Sequence, residues 1–255
     1  MSAAPSALTR SLRKEMSKLA NPERAAAMRA YMKSTMPYYG LSLPQVRDVC
    51  KSVLMERDLG SCAGWKSALL ELWRGARRRE ERYAALYLLR EKRYRDCVGP
   101  GLMPMIEEMV ETGAWWDVVD ELVHTVGELL RSHPEEIKPV MRAWSTDPNL
   151  WKRRVAIICQ LSFKEDTDLE LLYDNIEPNL GDREFFIRKA IGWALRQYAH
   201  TDPQEVARYV RAHEAELSGL SRREALKNFP AGGEDGPPPL AAGQMGRRRS
   251  PKSMG

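Results

Sequence analysis

Apolar residues recur every three or four positions along almost the whole chain, and no stretch alternates in the two-residue rhythm of a strand. That periodicity admits little besides helices. Prolines punctuate it: Asn21-Pro22, Leu43-Pro44, His133-Pro134, Asp147-Pro148 and Asp202-Pro203 each put proline at the head of a helical run, and in three of them an Asx residue precedes it as a cap. Between these marks the spacing predicts helices near 6–19, 22–33, 44–59, 62–74, 78–94, 101–112, 115–131, 134–145, 148–163, 168–177, 182–200, 203–215 and 221–228. Short helices joined by short turns predict an all-α fold, a right-handed-type superhelical solenoid of HEAT-like antiparallel helix pairs. Each pair buries its faces against its neighbours and leaves a concave surface for a large ligand. A compact, non-repeating helical bundle satisfies the same pattern. The repeat domain is expected over 1–230; from about Ala231 to Gly255 the sequence turns rich in Gly and Pro, and this 231–255 segment is expected to be a disordered tail.

Composition limits function in a few ways. Lys and Arg total 40 against 35 Asp and Glu, a formal charge of +5 that permits a polyanionic partner without proving one; part of the excess sits in the tail at Arg247, Arg248, Arg249 and Lys252. No apolar run approaches the roughly 20 residues that span a bilayer. Met1 to Leu8 lacks the charged start and apolar run of a secretory signal, so a cytoplasmic protein is expected. Cys50, Cys62, Cys97 and Cys159 are scattered, with no C-x-x-C pair and no matching histidine spacing, and read as reduced packing thiols. The sequence holds no Gly-rich phosphate loop, no H-E-x-x-H and no G-x-S-x-G, which argues against familiar phosphotransfer, zinc and serine chemistries; no metal or other cofactor is expected.

Three helices carry aromatic and charged side chains at the edge of a packed face. In AWWDVVDELVHTVGELLR, at about 100° per residue, Trp115, Val118, Val119, Leu122, Val126, Leu129 and Leu130 form one apolar arc. Trp116 and Asp120, four residues apart, sit together at its margin, where they are either the edge of a site or rim packing and a solvated acid. In PNLWKRRVAIICQLSF the arc of Leu150, Trp151, Val155, Ile157, Ile158 and Leu161 has Arg154 in its middle. Such a guanidinium must meet an anion, either an internal carboxylate such as Asp117 or Asp120 or a phosphate, or reach solvent through a gap. Arg153 lies on the flank. In DREFFIRKAIGWALRQYA, Trp193 is at the margin of the packed arc with Lys189 and Arg196 next around the same edge, and Gly192 leaves room for a close approach. Near the start, YMKSTMPYYGLSLPQVR leads into a helix that begins near Ser42, whose free N–H groups and Arg47 suit a phosphate. His124 follows Asp120 by four residues but joins no other ligand, and reads as a surface histidine.

Together and in this order, YMKSTMPYYGLSLPQVR, WWDVVDEL, LWKRRVAI and FIRKAIGWALRQYA, from about Tyr31 through Tyr198, resemble the AlkD-type DNA alkylation repair glycosylases, built from HEAT-like repeats. The resemblance implies a DNA glycosylase that takes duplex DNA on its concave face and releases positively charged N3- or N7-alkylated purines, leaving an abasic site for base excision repair; no obligate protein partner is expected, and a monomer is. By motif it implies a catalytic carboxylate at Asp120, aromatic walls at Trp116 and Trp193, a phosphate contact at Arg154, and backbone contacts at Arg196, Ser42 and Arg47. Arg153 and Lys189 are added as candidate DNA contacts from their place on the helix edges. Such a lesion leaves as a neutral base without a general acid, so the enzyme must stabilise positive charge growing on the sugar and position water; a carboxylate between electron-rich rings does both. A non-catalytic HEAT-repeat protein that binds damaged or branched DNA, or a protein-binding scaffold, would share the fold.

Overall fold

The computed structural model describes residues 6–229. Residues 231–255, where the tail is expected, lie outside the described residues. Among the described residues there is no strand, and thirteen α-helices follow one another: α1 (Ala7–Lys18), α2 (Pro22–Tyr31), α3 (Leu43–Met55), α4 (Cys62–Arg74), α5 (Arg79–Leu89), α6 (Met103–Gly113), α7 (Trp116–Ser132), α8 (Pro134–Ser145), α9 (Leu150–Ile158), α10 (Leu169–Ile176), α11 (Phe185–Tyr198), α12 (Pro203–Ala212) and α13 (Gly219–Ala225). Helices α3, α5, α7, α9, α11 and α13 pack on one another in succession, with α4, α8, α10 and α12 against them on the other side. This is a helical-repeat solenoid, and its odd-numbered row supplies one continuous surface.

The core follows the apolar periodicity. Val118, Val119, Leu122, Val126 and Leu129 of α7 are fully buried, as are Ile106 and Met109 of α6, Met141 of α8 and Ile158 of α9, all within one hydrophobic core. Gly127 permits a close approach of α9: a Cβ there would stand 2.9 Å from the carbonyl oxygen of Cys159. Trp115 departs from the expected arc. It is the residue before α7, with extended backbone, and it lies half-buried against Trp151 and Phe186, ring centroids 5.9 and 5.3 Å away.

Caps explain where several helices start. Asn21 and Asp202 each accept a hydrogen bond from the backbone N–H three residues on, at 2.9 Å, ahead of Pro22 and Pro203. Asp147 does not cap in this way. It accepts from Asn149 N–H at 2.7 Å, and Asn149 in turn caps α9, which starts two residues later than the proline implied. Two predicted helices fall furthest short of their expected length. The 78–94 run breaks after Leu89, and Lys92–Cys97 winds as a 3₁₀ turn with Tyr94 off helical geometry. The 148–163 run ends at Ile158, because the Gln160 side chain bonds both the N–H and the carbonyl of Asp168 and folds the chain back.

The expectation of four reduced cysteines is corrected. Cys62 and Cys97 form a disulfide, while Cys50 and Cys159 are free and buried. The pairing is invisible in spacing because the partners lie 35 residues apart. They meet only because α5 runs back along α4, so that the turn after α5 crosses the start of α4.

Candidate nucleic-acid interface

A break in the backbone sets the geometry of α7. Ala114 has φ of 23°, in the left-handed region, and Trp115 is extended, so α7 begins at Trp116. Trp115 is thereby turned into the aromatic cluster, and Trp116 and Asp120 stand one turn apart on the same side of the helix. With Trp193 of α11 they line two adjoining hollows. The smaller, about 280 Å³, is completed by Arg154, Phe185, Phe186, Lys189, Arg196 and Glu224. The larger, about 680 Å³, extends over α2, α3 and α5 to include Tyr31, Arg47, Tyr83 and Tyr87, with Asp117 and His124 of α7. Trp116, Asp120 and Trp193 border both hollows, so they mark the junction between them.

Arg154, 5 % exposed, meets the anion that its burial requires, and that anion is Asp120. Nε and Nη2 donate to Oδ1 and Oδ2, both at 2.7 Å, and Nη1 donates to the Phe186 carbonyl at 2.8 Å. The fork fixes the plane of the carboxylate, and its guanidinium lies 5.8 Å from the Trp193 ring centroid. Arg154 is therefore engaged by Asp120 here, and of its five N–H groups only one on each terminal nitrogen remains for a phosphate. Asp120 keeps a fifth of its side chain exposed, 20 %.

The other candidate residues divide. Lys189 and Arg196 line the smaller hollow, and both pair with Glu224: Lys189 Nζ lies 2.7 Å from Oε1, and Arg196 Nη1 bonds Oε2. Arg47 is exposed on the wall of the larger hollow. Ser42 lines neither; its hydroxyl and N–H close a capping box with Gln45 at the head of α3. Arg153 also lines neither, bonding Asp182 at 2.9 Å and the carbonyls of Asp147 and Pro148 at 2.8 and 3.1 Å.

Two groups beside the hollows escaped the sequence reading. Asp117, considered as a partner for Arg154, instead accepts from Arg79 Nε at 3.0 Å and from the Tyr83 hydroxyl at 2.6 Å. Burial, and then the charge of Asp117, push the Tyr83 phenol well above its ordinary value, so it remains a donor. Within the charged run RRREE, Arg79, Glu80 and Glu81 are all buried. The second is Glu224. Its carboxyl is held below the usual range by the hydrogen bond from Lys189 and, beyond that, from Arg196, against the opposing effect of burial. The one signal was Gly192: a Cβ there would stand 2.5 Å from the Glu224 Cβ and 2.8 Å from the Ser221 carbonyl, so glycine lets α13 lie directly on α11. Gly192→Ala is expected to push the two helices apart at a cost of about 1–3 kcal/mol, read as a lowered midpoint of thermal unfolding; an unchanged midpoint would show that the contact is soft.

Fold and hollow together define a helical-repeat protein that presents an acid, two indoles and several cations on one surface. The sequence model of a DNA alkylation repair enzyme matches residues 12–229. The chain belongs to that family, and its role lies in the repair of alkylated DNA. A solved structure described as a predicted DNA alkylation repair enzyme from Enterococcus faecalis is similar, with a TM-score of 0.68 and 32 % identity, covering 84 % of this chain and 98 % of that one. No curated protein matches. Among the described residues no helix is long and apolar enough to cross a membrane, and no group of three or more His, Cys, Asp or Glu side chains is placed to hold a metal ion.

Proposed function

We propose that this protein is a monofunctional DNA glycosylase that hydrolyses the N-glycosidic bond of positively charged N3- or N7-alkylated purines in duplex DNA, acting as a monomer and without a cofactor. The observation that carries this reading is the placement of Asp120: clamped by Arg154 and set, with Trp116 and Trp193, at the junction of the two hollows. Alkylation has already given the base its positive charge, so bond cleavage sends the electron pair to a neutral leaving purine. What remains is a cationic sugar, and a carboxylate held in one plane lowers its energy without reorganising as the charge grows. The indole faces add attraction for the same charge. Asp117 and Glu121 border only the larger hollow, and Glu224, the other acid of the smaller one, pairs with Lys189 and Arg196; Asp120, at the junction, is the acid assigned to the sugar. Lys189, Arg196 and Arg47 lie where phosphates of the bound strand would pass.

The test is release of free base. Purified protein and methylated duplex are expected to yield free 7-methylguanine or 3-methyladenine, with strand breaks appearing only after alkali opens the abasic sites. A folded protein that binds the duplex and releases nothing would overturn the catalytic reading in favour of a DNA-binding helical-repeat protein.

A further inference from the structure

The geometry points to Glu224 as an internal phosphate surrogate: it occupies the anion subsite formed by Lys189 and Arg196, and a DNA phosphodiester must displace it to bind there. The inference rests on the reading of the hollow as a DNA site. Both cations line the smaller hollow, and both aim at the two oxygens of one carboxylate. A phosphodiester offers two anionic oxygens of similar reach, so it suits the same pair of donors. Glu224 does not arrive there by its own helix alone. It comes from α13, brought over α11 by the missing side chain of Gly192, and only 17 % of its side chain remains exposed. A carboxylate is charged at neutral pH, and the hydrogen bond from Lys189 lowers its titration further, so it competes with phosphate as an anion.

The consequence is selectivity against undamaged DNA. The carboxylate compensates one of the two positive charges and engages the donors of both cations until a strand is seated closely enough to exchange partners, so loose encounters gain little from them.

The experiment measures binding of undamaged duplex across a salt series, a readout independent of base release. Glu224→Gln keeps shape and removes the competing charge. It is expected to tighten binding about fivefold and to steepen the slope of log K against log salt by about one unit, as one more phosphate is neutralised. Glu184→Gln, at the exposed residue before α11, removes the same charge without touching the subsite, and its gain should be several-fold smaller. Lys189→Met should cost less than about twofold in the native protein and about tenfold when combined with Glu224→Gln, since the lysine meets phosphate fully only once its internal partner is gone. The reverse order, with Lys189→Met costly only when Glu224 is present, would show that Glu224 positions the cations and would overturn the inference. Equal gains from the two glutamine variants would also overturn it. A native protein that binds no duplex at all would remove the DNA reading itself.

Discussion

On the proposed reading, Asp120→Asn is expected to slow base release by about a hundredfold or more, because it removes the preorganised charge assigned to the sugar. Asparagine keeps the outline of the side chain and one carbonyl oxygen, so the hollow retains its shape. It also leaves Arg154, at 5 % exposed, without a charged partner. Removing one member of a fully buried pair costs several kcal/mol, but Asp120 is 20 % exposed and the amide still accepts one bond, so a loss of about 1–3 kcal/mol in stability is the expectation. Two effects of one substitution must be separated. Single-turnover release from methylated duplex, measured well below the unfolding midpoint of the variant, reports the chemistry alone, and circular dichroism reports the fold. Excision within a factor of about three of the native rate would mean that Asp120 is only the counter-ion of Arg154.

That ambiguity was present in the sequence, and its form explains what could be read there. Trp116 and Asp120 share a helix edge because a helix repeats every 3.6 residues, which makes i and i+4 neighbours whatever the rest of the chain does. The same arithmetic placed Trp193 beside Lys189 and Arg196, and found Arg154 inside an apolar arc. It could state that Arg154 needs an anion; it could not choose between Asp117, Asp120 and phosphate, since the choice depends on how α7 sits against α9. Glu224 and Arg79 failed for the same reason. Each reaches the hollows or their margin from a helix distant in sequence, and in a linear reading both sit within ordinary charged runs, SRREA and RRREE. Trp115 shows the opposite limit: one residue at φ of 23° ahead of it moved the helix start and took an indole out of its expected arc. Proline was a sound marker where the preceding Asx side chain could reach the third N–H, as at Asn21 and Asp202, and misled at Asp147, where a second Asx residue took over the cap.

The largest loss of stability is expected at Glu80. Its carboxylate is fully buried and accepts three backbone N–H groups in succession: Tyr39 at 2.9 Å on one oxygen, Gly40 at 2.8 Å and Leu41 at 3.1 Å on the other. The turn it holds is pressed against α2, where a Cβ on Gly40, itself at φ of 89°, would stand 2.2 Å from the Asn21 carbonyl. Nothing else in that turn is free to replace the acceptor, so Glu80→Ala strands three buried donors at roughly 1–3 kcal/mol each, and a sum of about 4 kcal/mol allows for water entering the space left. For a domain of this size that lowers the unfolding midpoint by on the order of 10 °C. Glu80→Gln should fall between the two, because it keeps one acceptor oxygen but turns an NH₂ group towards N–H donors. The loss should reach the hollow as well. Leu41 and Ser42 lead directly into α3, and α3 carries Leu43, Pro44 and Arg47 on the wall of the larger hollow. Duplex binding measured at a temperature where both proteins are folded should therefore weaken in Glu80→Ala even though Glu80 lines neither hollow, whereas a midpoint lowered by less than about 2 °C would show that water satisfies those donors and that the acid anchors nothing.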